Sequence, residues 1–134
     1  MLIPHGAIVA VADGENLHLF RNGGNESDPS LTGLTEPTID GDNRDAGKRH
    51  RSSAANPDEK QSGEDSFAAA SAEFLNRKAL ATPDIGFIVI AAPKTLGELR
   101  KHYHKEFQNR LLGEIAKEMT GSSVQEIQAA LAKA

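Results

Sequence analysis

The side chains with most chemical potential in this sequence are cations, and they fall into two groups. Lys48-Arg49-His50-Arg51 forms a continuous basic run, with Asp40, Asp42 and Asp45 before it and Asp58 and Glu59 after it. Lys94, Arg100, Lys101, Lys105 and Arg110 form the second group, opposed locally only by Glu98 and Glu106. In a chain whose net charge is −4, such concentrations create local docking faces for an anionic partner. A run of Lys and Arg suits phosphate in particular. Each group also has a plainer reading. The first is equally a solvated, charge-balanced linker, and the second a helix laced by Lys94–Glu98 and Glu98–Lys101 pairs at helical spacing. Lys48, Arg49, His50, Arg51, Lys94, Arg100, Lys101 and Lys105 are therefore the candidate contacts for RNA, another anion or a protein partner.

Other constellations do not assemble into a catalyst. A two-metal nuclease needs carboxylates converging from neighbouring elements. Asp13 stands at the end of the first apolar run, the second such run ends Ala91-Ala92-Pro93 without an acid, and Glu73 completes a pair at most. Of the five histidines, His102 and His104 lie roughly 200° apart on a helix and cannot grip one ion. His5, His18 and His50 belong to separate segments. The sequence lacks a Gly-x-Ser-x-Gly elbow, a phosphate-binding Gly-x-x-x-x-Gly-Lys and a Gly-rich dinucleotide turn. Zero cysteines exclude disulfides, thiol nucleophiles and thiolate-held metals. The expectation is a protein without catalytic residues, metal or cofactor.

The elements that must carry the cations read as one α/β domain over residues 1–134. Ala7-Ile8-Val9-Ala10-Val11-Ala12, closed by Asp13-Gly14, is an apolar, β-branched run of the kind buried on both faces of a sheet. Residues 16–21 alternate, with Leu17 and Leu19 on one face and His18 and Phe20 on the other, so a short hairpin links the two. Asn22-Gly23-Gly24-Asn25 turns the chain into a third strand over residues 31–36. Residues 37–63 hold Ile39 as their only large aliphatic side chain. Such a stretch cannot offset its ordering entropy by burial, which predicts a long mobile loop. A helix starts at Glu64, with Phe67, Ala70, Phe74 and Leu75 as its apolar stripe, and Thr82-Pro83 ends it. Gly86-Phe87-Ile88-Val89-Ile90-Ala91-Ala92 is the second buried strand. A second helix over residues 95–107 places Leu96, Leu99, Tyr103 and Phe107 inward and Lys94, Lys101 and Lys105 outward. Residues 110–118 fit either helix or strand. Gly113, and the need to separate two helices, favour a strand with Leu111, Gly113 and Ile115 on one face. Ser123-x-x-Glu126 is a capping box that opens a last helix.

The order is βββ-αβαβα: a mixed five-stranded sheet with helices packed on it. This arrangement resembles the ribonuclease H-like fold and the central domain of archaeal and eukaryotic release factors and Pelota. Aromatics are 4% of the 134 residues and apolar residues 38%, so Ala, Val, Ile and Leu must build the core. The opening apolar stretch carries no basic leader, and no run reaches the ~18 residues of a membrane span; cytoplasmic location is the expectation.

Several stretches also resemble the bacterial host attachment proteins. They are Ile3-Pro4-His5-Gly6-Ala7-Ile8-Val9-Ala10-Val11-Ala12-Asp13-Gly14, Arg49-His50-Arg51-Ser52-Ser53-Ala54-Ala55-Asn56-Pro57-Asp58, Asp65-Ser66-Phe67-Ala68-Ala69 and Ile90-Ala91-Ala92-Pro93-Lys94-Thr95-Leu96-Gly97-Glu98-Leu99-Arg100-Lys101-His102-Tyr103. That resemblance implies a non-enzymatic factor in attachment to host cells, acting indirectly from the cytoplasm with a protein or host-surface partner. The release-factor resemblance implies instead an RNA- or ribosome-associated module. The Gly-Gly-Gln tip that those domains carry before their first long helix is replaced here by Gly47-Lys48-Arg49-His50-Arg51-Ser52.

Overall fold

A computed structural model describes residues 1–35 and 57–134, with only the backbone described for residues 57–62. The two apolar runs form the centre of the sheet. Strand β1 (Ile8–Ala12) and strand β4 (Phe87–Ala91) are buried at every position and pair in parallel, from Ile8 opposite Phe87 to Ala12 opposite Ala91. Strands without polar faces need cover on both sides, and both sides are covered. Strand β2 (Leu17–Asn22) runs antiparallel to β1, and strand β3 (Leu31–Gly33) antiparallel to β2. Strand β5 (Leu111–Ala116) continues the sheet parallel to β4. The order β3-β2-β1-β4-β5 is the mixed five-stranded sheet that the sequence predicts.

Three helices cover one face: α1 (Pro57–Ala81), α2 (Pro93–Arg100) and α3 (Lys105–Arg110). Their Leu75, Leu96, Leu99 and Phe107 pack on Ile8, Ala10, Phe87 and Val89. Helix α4 (Val124–Lys133) covers the other face, where Ile127 and Leu131 meet Val9, Val11, Ile88 and Ile90. The side chains of β1 and β4 thus alternate between two cores, as strand geometry demands. The capping box of α4 is formed: Ser123 Oγ accepts from the Glu126 amide at 3.1 Å, and Glu126 accepts from the Ser123 amide at 2.8 Å.

Five local expectations are corrected. Helix α1 begins at Pro57 rather than Glu64. Proline suits the first helical position, and the acids that follow it suit the positive end of the helix dipole; a reading based on apolar content passes over both signals. Residues 57–63 of the expected loop are therefore helical, while residues 37–56, with Lys48, Arg49, His50 and Arg51, lie outside the described residues. The buried positions of α1 that face the sheet are Ala68, Ala72, Leu75 and Ala79, because small side chains let the helix approach closely. Phe67 and Phe74 pack at its margin. The single helix expected over residues 95–107 is two helices with a corner at residues 101–104. Finally, β3 is shorter than expected, and β5 does not keep Leu111 and Ile115 on one face. A register shift between Phe87 and Ile88 leaves Leu112 as an extra residue opposite β4. This bulge turns Leu111 toward the three-helix core and Ile115 toward the α4 core.

Candidate nucleic-acid interface

Helix α2 begins where Pro93 ends β4, which places Lys94 in its first turn, exposed. Arg100, the last residue of α2, reaches across to β5. Its Nε and Nη2 donate to Glu114 Oε1 at 2.9 and 2.7 Å, and the hydrogen bond and charge of Glu114 raise the guanidinium pKa further. Tyr103 Oη donates to the other carboxylate oxygen at 3.4 Å. Burial, then the negative charge of Glu114, push that phenol well above its ordinary value, so it remains a donor. Lys101 Nζ donates to Glu98 at 3.0 Å. This bond, joined by the charge of Lys101 and the hydrogen bond and charge of His102, outweighs the opposing effect of burial and holds the Glu98 carboxyl below its usual range. The Glu98–Lys101 link of the laced-helix reading therefore exists, and a Lys94–Glu98 pair does not appear among the described ion pairs. Arg100 is engaged, whereas Lys94 and Lys105 meet no carboxylate among the described residues. Arg100, Lys101 and Lys105 follow one another from the end of α2 across the corner to the start of α3, with Lys94 at the far end of α2.

The corner between α2 and α3 has a specific cause. Asn76, 1% exposed on α1, donates from Nδ2 to the His102 carbonyl at 2.9 Å and accepts at Oδ1 from the His104 amide at 3.0 Å. Those backbone groups are thereby paired outside any helix, which satisfies them where a continuous helix would have done so internally. Beneath the corner, the rings of Tyr103 and Phe107 lie 4.7 Å apart and those of Phe107 and Phe87 5.0 Å apart. His102 Nε2 is 3.6 Å from Glu98, and His104 Nε2 is 3.5 Å from Glu73. Arg110 turns inward: Nη1 donates to the Thr82 carbonyl at 2.5 Å, and the guanidinium stands 6.0 Å from the centre of the Phe87 ring. Its Nε lies 3.2 Å from Glu106, near enough for charge pairing but not aligned as a hydrogen bond. Asn76 was not among the residues singled out from sequence. Its signal is a polar side chain between Leu75 and Ala79 on the buried stripe.

Asp13 and Glu73 do not converge. Asp13, at the end of β1, accepts from the amides of Glu15 and Asn16 at 2.7 and 2.6 Å and from Thr120 Oγ1 at 2.7 Å. Burial acts to raise its pKa, but these hydrogen bonds outweigh it and hold the carboxyl below its ordinary value. Its oxygens thus fix the turn into β2 and the loop before α4. Glu73 lies on the outer side of α1, against His104. Among the described residues no group of three His, Asp or Glu side chains is placed to hold a metal ion. His5 bonds the Gly24 carbonyl at 2.8 Å, apart from the corner. Ligands of open α/β sheets usually sit beyond the carboxyl ends of parallel strands. Here the described crevice between α1 and α2, lined by Glu64, Asp65, Lys94 and Glu98, holds about 20 Å³, room for a water molecule rather than a substrate. The exposed cations and the braced corner form a candidate functional surface.

Residues 6–131 match the model of a family described as bacterial archaeo-eukaryotic release factor family 12. The chain belongs to that family. The match spans β1 to α4, and the mixed sheet agrees with a release-factor-like domain. It overturns the reading as a host attachment factor: nearly the whole length that carried that resemblance is accounted for by family 12, and the host-attachment function is set aside. No curated protein matches the chain. Among the described residues no helix is long and apolar enough to cross a membrane.

Proposed function

We propose that this member of family 12 is a non-enzymatic module that associates with RNA, on the ribosome or in ribosome-like complexes. The observation that carries the reading is the family match across residues 6–131, joined to a surface whose exposed cations stand around a fixed corner. No peptidyl-tRNA hydrolysis is assigned to it. The adjacent glycines Gly23-Gly24 lie in the turn between β2 and β3, closed by the Asn22 side chain, and are followed by Asn25 rather than Gln. The run Lys48-Arg49-His50-Arg51 falls between β3 and α1 in the sequence, where release-factor domains carry their tip, and supplies phosphate-binding charge instead of a hydrolytic group.

Cosedimentation with ribosomes at low and high salt tests this. Association through phosphates weakens steeply as salt rises, since each neutralised phosphate releases counterions. The chain is expected in the ribosomal pellet at low salt and in the supernatant at high salt, and Lys48→Ala/Arg49→Ala/Arg51→Ala should weaken the association. A chain that stays in the supernatant at low salt, with no affinity for isolated RNA, overturns the reading.

A further inference from the structure

We infer that the RNA met by this protein is double-helical, and that Arg77, Lys101 and Lys105 contact its phosphates from a corner that Asn76 holds in position. The inference rests on the RNA-associated reading above and specifies the form of RNA and the surface.

Three observations carry it. The first is rigidity. The corner is tied at two backbone groups by one buried amide and floored by Phe107, which is fully buried, so the backbone that carries the cations needs no ordering on binding. The second is their arrangement. Helix α3 runs alongside the last turns of α1, from Asn76 near its start to Thr82 near its end. Arg77 lies one turn beyond Glu73, which meets His104, and follows Asn76, which holds the His104 amide, so it belongs to the part of α1 that faces the start of α3. Arg77 and Lys105 are exposed, with no carboxylate partner among the described residues. The Lys101 side chain is 68% exposed, and an exposed ion pair such as Lys101–Glu98 is worth only about 0–1 kcal/mol, so its ammonium can exchange the carboxylate for a phosphate.

The third observation selects the form of RNA. Proteins that hold single strands stack bases on aromatic rings along a cationic groove. This chain has five Phe, one Tyr and no Trp, all among the described residues, and none is exposed: Phe87 and Phe107 are buried, and the other four are half-buried against the two cores. The imidazoles at the corner have their Nε2 edges turned to Glu98 and Glu73. Exposed cations without an exposed Phe, Tyr or Trp suit the backbone of a duplex, which is recognised through shape, phosphates and 2′-hydroxyls.

Fluorescence anisotropy with the full chain decides it, using a labelled RNA duplex of about 16 base pairs and each of its separated strands. The duplex should bind at least about tenfold more tightly than either strand at low salt, a difference of about 1.4 kcal/mol. Arg77→Ala/Lys101→Ala/Lys105→Ala should weaken duplex binding and reduce the salt slope by about two to three, with an unchanged melting temperature confirming that the variant is folded. Equal or tighter binding of the single strands overturns the inference and leaves RNA association standing. An unchanged salt slope in the folded triple variant likewise removes the corner while RNA binding remains. Failure to bind either form, together with absence from ribosomal pellets, overturns both.

Discussion

Two buried asparagines organise irregular backbone in this molecule, and what they display differs. Asn22 is fully buried at the end of β2. Its Oδ1 accepts from the amides of Gly24 and Ser30, each at 2.9 Å, and its Nδ2 donates to the Ile3 carbonyl at 2.8 Å. Asn76 does the same with two bonds at the α2–α3 corner. Around Asn22 the exposed residues include Arg21, Asn25, Glu26, Ser27 and Asp28, one cation among two acids and polar groups. Around Asn76 they are Arg77, Lys101, His104 and Lys105. The device is shared; only the second instance gathers several cations. A buried amide is therefore no functional sign in itself, and the character of the backbone it fixes decides whether it serves stability alone.

Substitutions separate the two roles. Asn22→Ala removes three short hydrogen bonds to backbone groups, besides two longer ones to the Pro4 and Asn25 carbonyls, and at about 1 kcal/mol or more for each short bond it should cost about 3 kcal/mol in urea unfolding, with RNA affinity unchanged in the folded fraction. Asn76→Ala exposes only two groups at a partly accessible corner and should cost about 1–2 kcal/mol. Unlike the first variant, it should lower duplex RNA affinity under conditions where both are fully folded. Equal affinities would remove the distinction. A weaker effect comes from Asp13, whose pKa is lowered in the folded state. A depressed carboxyl pKa contributes stability that is complete above the unfolded value of about 3.9 and disappears as pH falls through the folded value. Melting temperature should thus be level from neutral pH to about pH 5 and drop below about pH 4, and Asp13→Asn should melt lower at neutral pH with a shallower acid drop. The smallest effect is expected for Lys101→Ala, whose exposed pair with Glu98 contributes too little for the melting temperature to move.

Much of the sheet can be read from residue type because the signals are local. The apolar runs of β1 and β4 leave no solvent face, and the capping box announces α4 within four residues. The strand β5 follows from Gly113 and from connectivity. The break in the expected helix over residues 95–107 is illegible locally, since it depends on an amide contributed by α1. The same holds for the candidate surface. Lys94, Arg100, Lys101 and Lys105 stand out in the sequence as cations, but whether each faces solvent or a carboxylate is tertiary: Arg100 is engaged because β5 delivers Glu114 to it. Arg77, the cation that the fold adds beside them, lies in a different helix. The bulge in β5, likewise, reflects the fit of two strands rather than the composition of either.

That bulge bears on how the molecule behaves in a crowded solution. The strand β5 is the outermost of the described sheet on its side, and Leu112 on it is 45% exposed. An outer strand offers unpaired backbone groups to any other polypeptide, and a flat, apolar one invites aggregation. Here the extra residue bends the strand at its start, and Glu114 sets an acid midway along it. Together they deny an incoming strand the even repeat it would need, so the irregularity that divides Leu111 and Ile115 between two cores also guards the open side of the sheet.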